Sequence, residues 1–386
     1  MTKQTNTLYY DRWILVVALI LILFGLLMVS SASMVISDRL YQEPFHYLCR
    51  QLIFLVTGLA IAWGIARVSL SAWEEMSFPL LLFCFLVLLA VLVPGIGSVV
   101  NGSRRWIHLG FISLQVSEAV KLMAILYLAG FLQRHLKEVQ TRLSGFIKPM
   151  AFFGIMGFLL LLEPDFGATS VIAMTVLSLL FIAGARLLPF LLMLSSVVVG
   201  MATLAITTPY RMQRLTTFLN PWDHAYGSGY QLTQSLIAFG RGGLFGVGLG
   251  NSVQKLFYLP EAHTDFIFAV IGEELGLVGE LLLIGLFVIL IARIIYLAQT
   301  ALRQEQWFAG FVAWGIGLWI AFQTIINIGV NIGLLPTKGL TLPLISYGGS
   351  SLWVSCAAMG IILRVAHEVQ SVSVSTSSSR LRQRVS

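Results

Sequence analysis

The stretch 13-WILVVALILILFGLLMV-29 contains no charged residue and opens a longer apolar segment, 13–33. A helix needs roughly 20 apolar residues to cross the hydrocarbon core of a bilayer, and this segment has that length. Further apolar segments follow along the chain, so this one does not have the organisation of a cleavable secretion signal. The stretch therefore predicts a membrane-spanning helix.

The composition of the whole chain agrees with this prediction. Hydrophobic residues make up 58% of the sequence and charged residues 11%, against about 25% charged residues in soluble domains. The net charge of +7 is typical of basic cytoplasmic loops, and we expect no nucleic-acid partner. The three cysteines lie in or beside apolar segments without a C-x-x-C motif, which argues against a disulfide framework or a zinc site.

The pattern predicts an all-α polytopic membrane protein. The predicted spans are 13–33, 50–67, 77–96, 113–132, 147–163, 168–185, 188–208, 265–295, 307–332 and 347–367. Loop charges favour cytoplasmic termini, because a short loop between spans four and five, 133–148, is rich in Lys and Arg. We therefore divide the chain into a cytoplasmic N-terminus (1–12), a membrane domain (13–367) and a Ser-rich, disordered cytoplasmic tail (368–386). A large outer loop, 209–264, joins spans seven and eight.

Three of the four acids in 261-EAHTDFIFAVIGEELG-276, namely Asp265, Glu273 and Glu274, lie in an otherwise apolar segment. Each would cost roughly 2.5–3.5 kcal/mol at the centre of a bilayer. Asp265 is predicted at the outer end of span eight, where the helix dipole favours its ionised form. Glu273 and Glu274 lie about 12–14 Å deeper. Helical geometry makes Glu273 the better candidate to support the cavity of Asp265, and Glu274 the better candidate to contact a neighbouring helix.

Charged residues also occur in 103-SRRWIHLGFISLQVSEAVKLM-123. Glu118 and Lys121 are three residues apart and share one helix face, so each reduces the cost of burying the other. The pair is either structural or part of a polar substrate cavity. Arg104 is predicted at the outer interface, where it either anchors the protein to head groups or binds substrate.

The outer loop contains the glycine-rich stretch 240-GRGGLFGVGLG-250. It lacks the strand and the G-K-[ST] motif of nucleotide-binding loops, so no nucleotide is expected. It is either a tightly packed turn or, together with Arg241, a phosphate-binding turn. A short amphipathic helix is predicted just before it, over 230–240, with Gln231 and Ser235 on its polar face.

A second irregular stretch is 333-GLLPTKGLTLPLISYGGSSLW-353. Non-helical backbone at membrane depth must be buried in protein or line a wet cavity. Lys338 could reach the lipid head groups or hold an anionic substrate, and Ser346 is a second candidate for substrate binding.

Four stretches together closely resemble the SEDS family, which acts in shape, elongation, division and sporulation. They are 163-EPDFG-167, 230-YQLTQSLIAFGRGGLFGVGLGNSVQKLFYLPEAHTDF-266, 261-EAHTDFIFAVIGEELG-276 and 334-LLPTKGLTLPLISYGGSS-351. The similarity extends over about 13–367. Lys338 in its Pro-Thr-Lys-Gly loop resembles the division branch, since elongation members usually have a non-basic residue there.

The resemblance implies a ten-span peptidoglycan glycosyltransferase of the bacterial inner membrane, with its active site on the periplasmic face. Such enzymes polymerise lipid II with a class B penicillin-binding protein as transpeptidase partner, and the division branch acts at the septum with other division proteins. The family's essential acid falls on Asp265 and its buried ion pair on Glu118 and Lys121.

The implied reaction is attack of the acceptor's 4-hydroxyl on the anomeric carbon of the growing chain. Inversion gives a β-1,4 bond and releases undecaprenyl pyrophosphate. Asp265 is the candidate base, and Lys121, Arg241 and Lys338 are candidates to stabilise the pyrophosphate. A divalent cation, Mg²⁺ or Mn²⁺, bridging Asp265 and the pyrophosphate would suit this chemistry. A lipid II flippase, an elongation-type polymerase and a non-catalytic division scaffold are the alternatives.

Overall fold

The computed structural model of the chain describes residues 11–100, 102–110, 112–207 and 209–385. Within these ranges, the side chains of 109, 112, 201, 204, 205, 209–211, 215 and 372–385 are outside the description. Nearly all of the predicted cytoplasmic N-terminus, 1–12, lies outside the described residues.

Helices dominate the described chain. In order they are α1 (Arg12–Tyr41), α2 (His46–Ile65), α3 (Leu70–Glu75), α4 (Ser77–Leu92), α5 (Val116–Thr141), α6 (Leu143–Leu162), α7 (Phe166–Ile182), α8 (Leu187–Thr207), α9 (Pro209–Leu219), α10 (Tyr230–Gly242), α11 (Ile267–Arg303), α12 (Trp307–Asn331) and α13 (Gly349–Val385). The strands are β1 (Gly97–Val100), β2 (Ser103–Leu109) and β3 (Ile112–Gln115).

Seven of the described helices are long and apolar enough to span a membrane: α1, α2, α5, α6, α11, α12 and the Gly349–Ser371 part of α13. Three shorter apolar helices are α4, α7 and the Leu187–Gly200 part of α8. Every predicted span falls on one of these helices, and the prediction of a polytopic helical fold is confirmed. The number of helices that cross the bilayer remains a prediction, as does the disordered tail.

The long apolar helix α1 begins at a well-defined cap. Asp11 precedes it, and its Oδ1 accepts hydrogen bonds from the backbone nitrogens of Trp13 and Ile14 at 3.1 and 3.3 Å. These bonds satisfy N–H groups that would otherwise have no partner at a helix start. The other carboxylate oxygen of Asp11 accepts from Arg293 Nε at 2.8 Å, which ties the start of α1 to α11.

The centre of the bundle is formed by α5, whose most apolar stretch is 83% buried, whereas the corresponding stretch of α2 is 17% buried. Helix α5 packs against α4, α6, α7 and α12. It continues through Thr141, and α6 starts at Leu143. The predicted cytoplasmic loop 133–148 is therefore mostly helical, and the chain turns at the extended residue Arg142.

A small antiparallel sheet connects α4 to α5, with strand order β1-β2-β3. Trp106 pairs with Ser98 in β1 and with Gln115 in β3. The next pair is Arg104 with Val99, so Arg105 is an extra, unpaired residue of β2 at an irregularity of the ladder.

Helix α11 is not continuous, as span eight was predicted to be. Gly276 has φ 65° and ψ −167°, which interrupts the helix. The backbone groups freed by the break pair with the glycine-rich stretch: Val247 N donates to Glu273 O at 3.0 Å, and Leu277 N donates to Gly243 O at 3.0 Å. Irregular backbone within an apolar region is stable only with such internal partners.

The pairing explains the glycine-rich stretch. A Cβ on Gly246 would overlap the Glu274 carbonyl, so only glycine allows this close approach. The N–H groups of Gly246, Val247 and Gly248 are engaged in hydrogen bonds within the protein. These bonds support the packed-turn interpretation, because the same N–H groups would have to point toward a ligand in a phosphate-binding turn.

Candidate functional site around Asp265

Asp265 lies just before α11, in the segment 259–266. It is partly exposed, and within the described part of the chain no hydrogen bond or ion pair engages its carboxylate. Its Oδ2 packs against Gly339, where an added Cβ would lie 3.0 Å away. The Asp265 carboxylate is therefore accessible and has no hydrogen-bond or ion-pair partner among the described residues.

Burial, and to a smaller extent the nearby Glu261 carboxylate, raise the pKa of Asp265 to about 7. The Arg105 guanidinium acts in the opposite direction. We had expected the helix dipole to keep Asp265 fully charged at neutral pH, but the cost of desolvating the carboxylate outweighs the dipole. A carboxyl group with a pKa near 7 is well suited to accept a proton at physiological pH.

The predicted pair of Glu118 and Lys121 is present on α5. Lys121 Nζ lies 2.9 Å from Glu118 Oε1, and both side chains are buried. Lys121 also donates to Gln323 Oε1 at 2.6 Å and lies 5.3 Å from the centre of the Trp319 ring. Glu118 Oε2 is buried without a hydrogen-bond partner among the described residues, so the pair retains one unused acceptor.

Gln323 was not identified from the sequence. Its Nε2 donates to the Thr341 carbonyl at 2.9 Å, and its Oε1 also accepts from Trp319 Nε1 at 2.7 Å. It therefore links the ion pair on α5 to the irregular segment after α12. A polar residue in an otherwise apolar span was the available signal.

A second group of acids lies between α6 and α7. Asp165 accepts from Ser117 Oγ at 2.7 Å and from Ala168 N at 3.0 Å, which makes it the N-cap of α7. Arg105 NH1 lies 3.8 Å from Asp165 Oδ2. Glu163 is fully buried, and neither of its carboxylate oxygens has a partner in the described structure. Burial raises the pKa of Glu163 to about 8, with a further contribution from Asp165.

Arg104, predicted either to anchor the outer interface or to bind substrate, contacts the end of α4. Its NH1 donates to the Leu92 carbonyl at 3.2 Å, at the end of α4. Arg105 instead approaches Asp165 and is the arginine that acts on Asp265. Arg105 lies at the irregularity in the pairing of β1 with β2, whereas Arg104 pairs with Val99, and an irregularity of this kind re-aims a side chain.

Lys338 lies beside the first turn of α7. Its Nζ donates to Ser170 Oγ at 3.4 Å and lies 4.3 Å from the centre of the Phe166 ring. The next residue, Gly339, contacts Asp265. The loop therefore brings one cation close to the uncommitted carboxylate.

Ser346 has a connecting role. Its hydroxyl donates to the Thr264 carbonyl at 2.7 Å and accepts from Leu342 N at 2.8 Å. It is buried. The structure thus uses Ser346 to join the segment after α12 to the segment that carries Asp265.

The amphipathic helix predicted over 230–240 is present as α10, Tyr230–Gly242. Ser235, expected on its polar face, is buried and donates to the Asn331 carbonyl at 2.7 Å. Gln231 is half-buried. Arg241, at the end of α10, is partly exposed, and its Nε lies 3.5 Å from Glu273 Oε1.

Glu273 is engaged away from Asp265, although we had predicted that it would support the same cavity. It is fully buried. Its carboxylate accepts from Ser252 Oγ, from Val253 N at 3.1 Å and from Gln254 N at 3.2 Å. Glu273 therefore holds the segment 252–254 against α11.

Glu274 contacts a neighbouring helix, in agreement with the prediction. Ser31 Oγ on α1 lies 2.7 and 2.8 Å from its two carboxylate oxygens. Lys255 Nζ donates to Oε1 at 2.9 Å. A cavity of about 570 Å³ lies beside this network, between α1 and the segment 249–256, and it is separate from the residues around Asp265.

The described residues do not provide a complete metal site. They contain no group of three or more His, Cys, Asp or Glu side chains that could hold a metal ion. Asp265 would supply one carboxylate to a Mg²⁺ or Mn²⁺ ion, and the remaining ligands would have to be substrate oxygens and water.

Comparisons with known proteins agree with the geometry. A family model for FtsW, RodA and SpoVE, described as cell cycle protein, matches residues 11–371. The probable peptidoglycan glycosyltransferase FtsW of Coxiella burnetii is 63% identical over 368 residues, which are 95% of this chain and 99% of that protein.

Two solved structures share the fold over nearly the whole chain. One is a chain in a structure that concerns the coordination of polymerization and crosslinking by a peptidoglycan synthase complex. It has a TM-score of 0.75 and 29% identity, and the match covers 94% of this chain and 99% of that one. The other, the rod shape determining protein RodA of Thermus thermophilus, has a TM-score of 0.70 and 29% identity, covering 94% and 98%. The chain therefore belongs to the FtsW, RodA and SpoVE family of cell cycle proteins, the SEDS family that its motifs resemble.

Proposed function

We propose that this protein is a peptidoglycan glycosyltransferase that polymerises lipid II into β-1,4-linked glycan strands during septal wall synthesis. The observation that carries the proposal is the accessible, unpaired carboxylate of Asp265, placed beside the Lys338 loop. Family membership supports the reaction class, and the FtsW name of the Coxiella burnetii relative favours the division role over elongation.

In the proposed reaction, the acceptor's 4-hydroxyl oxygen forms a bond to the anomeric carbon of the growing chain. The bond from that carbon to the pyrophosphate oxygen breaks, and undecaprenyl pyrophosphate leaves with the electron pair. Asp265 receives the hydroxyl proton. A base with a pKa of about 7 can take up this proton near neutral pH and release it to solvent after each addition.

The leaving pyrophosphate needs positive charge, and the geometry favours two cations for this role. Lys338 is on the loop that contacts Asp265, and Arg105 acts electrostatically on Asp265. Lys121 is already engaged by Glu118 and Gln323, which suits a role in holding the acceptor side of the cavity. Arg241 is engaged by Glu273.

We further propose a location in the bacterial inner membrane at the septum, with both termini cytoplasmic and the Asp265 site on the periplasmic face. A class B penicillin-binding protein is the proposed transpeptidase partner, together with other division proteins. The resemblance to a chain of a peptidoglycan synthase complex supports this partner. A divalent cation would add charge at the pyrophosphate when bound.

The test is polymerisation of purified lipid II by the protein in complex with its penicillin-binding partner. Asp265→Asn preserves the shape of the side chain but removes the base, so we expect glycan synthesis to be abolished while the complex remains assembled. Asp223→Asn, an exposed aspartate of the same outer region, is the matched control and should retain activity.

A fluorescent lipid II translocation assay in liposomes distinguishes the alternative from another class. Translocation that depends on Asp265, without chain synthesis, would establish a flippase and overturn the proposal. Full-length glycan strands from the Asp265→Asn complex would remove Asp265 from the role of base.

A further inference from the structure

The backbone carbonyl of Asp265 is held by two amide side chains from α12. Asn327 Nδ2 donates to it at 2.9 Å and Asn331 Nδ2 at 3.0 Å. Both asparagines are buried. They are four residues apart and therefore lie on the same face of the helix. The conformation of the residue that carries the candidate base is thus set by another helix, far away in sequence.

Asn327 makes a second contact that gives it a more specific role. Its Nδ2 also donates to the Leu340 carbonyl at 2.6 Å. Leu340 follows Gly339, which packs against the Asp265 carboxylate, and Lys338 precedes both. The Asn327 side-chain amide therefore connects the backbone of Asp265 to the backbone of the loop that carries Lys338.

Asn331 acts on the start of α11. Its Oδ1 accepts from Ala269 N at 3.2 Å, an N–H group of the first helical turn. Ala269 N also donates to the Phe266 carbonyl at 3.1 Å, so Asn331 adds a second acceptor, from another helix, at the start of α11. Its contact orients α11 as a whole, whereas Asn327 connects Asp265 directly to the Lys338 loop.

The two residues before Asp265 are attached to the same region. Tyr347 N donates to the His263 carbonyl at 2.9 Å, and Ser346 Oγ donates to the Thr264 carbonyl at 2.7 Å. Three successive carbonyls are thus held by donors from α12 and from the segment after it. Within the segment, Thr264 N and Phe266 N donate to the Glu261 carbonyl at 3.2 and 3.1 Å, and the donors from α12 and the segment after it add the constraint on the Asp265 carbonyl itself.

We propose that Asn327 is a positioning residue that sets the distance between the Asp265 base and the Lys338 cation. This inference rests on the proposed glycosyltransferase function. The base must meet the acceptor hydroxyl while the cation meets the leaving pyrophosphate, on opposite sides of one reacting carbon. A displacement of about 1 Å between such groups can cost on the order of 10²-fold in rate. The contact acts on the geometry of the reacting groups rather than on the affinity for the lipid.

The first test is steady-state lipid II polymerisation by the intact complex carrying Asn327→Ala. We expect kcat to fall by about 10²-fold with KM little changed. Asn327→Asp keeps the shape but replaces the donating amide by a carboxyl group that cannot donate to both carbonyls, so it should also be impaired. Asn327→Ser keeps one donor and should lie between the alanine variant and the wild type. Asn220→Ala, an exposed asparagine of the outer region, is the matched control.

A double-mutant cycle with Lys338→Ala tests the connection itself. If Asn327 acts by holding the Lys338 loop in place, its loss should cost much less kcat when Lys338 is already absent. Losses of kcat that simply add in the double variant would overturn the inference. It would also be overturned if the activities of Asn327→Ala and Asn327→Ser fell only in proportion to their loss of thermal stability. Failure of the glycosyltransferase proposal would be seen separately, as wild-type protein that makes no glycan or as an active Asp265→Asn variant.

Discussion

Two buried clusters of charge occur in this protein, and each contains a Lys–Glu pair at the same distance. In the open cluster, formed by Glu118, Lys121, Asp165 and Asp265, Lys121 lies 2.9 Å from Glu118. In the closed cluster, formed by Arg241, Lys255, Glu273 and Glu274, Lys255 lies 2.9 Å from Glu274. The clusters differ in what happens to the remaining carboxylate oxygens.

In the closed cluster every carboxylate oxygen of Glu273 and Glu274 has a partner from Ser31, the segment 252–255 or Arg241. In the open cluster, within the described residues, Glu118 Oε2 and the Asp265 carboxylate have none. A buried charged oxygen without a partner, such as Glu118 Oε2, is costly and calls for an explanation. We therefore expect the closed cluster to act mainly in stability and the open cluster in the proposed reaction.

The largest effect is expected from breaking the open cluster. Lys121→Ala leaves the Glu118 carboxylate buried without its cation, and polymerisation should fall by at least about 10²-fold through lost electrostatic organisation. Initial rates of glycan synthesis measure the loss. The control is Lys148→Ala, which removes an exposed lysine that pairs with Glu138 at 2.8 Å and should remain active. Equal rates of glycan synthesis for the two variants would show that the pair of Lys121 and Glu118 has a purely structural role.

Breaking the closed cluster should give the opposite pattern. Lys255→Met leaves Glu274 uncompensated in the interior and should destabilise the fold by about 3–5 kcal/mol, seen as a lower melting temperature. The molecules that remain folded should keep a near-normal kcat. The double variant Lys255→Met, Glu274→Gln should recover part of the lost stability, since no buried charge is then left unpaired. A variant of normal stability but low kcat would show that the closed cluster takes part in the reaction.

The smallest effect concerns the pH dependence of polymerisation. Asp265 must be ionised to accept a proton, so activity should rise with pH through a midpoint near its pKa of about 7. Glu261, Asp165 and Glu118 raise this pKa and Arg105 lowers it. Removing the guanidinium in Arg105→Gln should therefore move the midpoint to higher pH. Arg67→Gln, at an exposed position, is the control, and an unchanged midpoint in Arg105→Gln would contradict the assignment of Asp265 as the base.

Contacts within one helix were predictable from the sequence. The spacing of Glu118 and Lys121 predicts their pairing because residues three apart are neighbours on a helix, and the structure confirms it. The periodicity of 230–240 likewise predicted α10. The sequence pattern did not distinguish Arg105, which lies 3.8 Å from Asp165, from Arg104, because the strand β2 and the irregularity in its pairing with β1 were not recognised.

The sequence by itself determined that this protein is a polytopic helical membrane protein, because long apolar segments have few other stable structures. It also identified Asp265 through motifs that resemble one family. The tertiary structure alone decided that Glu273 belongs to a different cluster from Asp265, that Gln323 completes the Lys121 pair, and that Asn327 connects the base to the Lys338 loop. The physical reason is that helical periodicity fixes neighbours within a turn or two, whereas the partners of a buried polar group depend on which helices and irregular segments pack together.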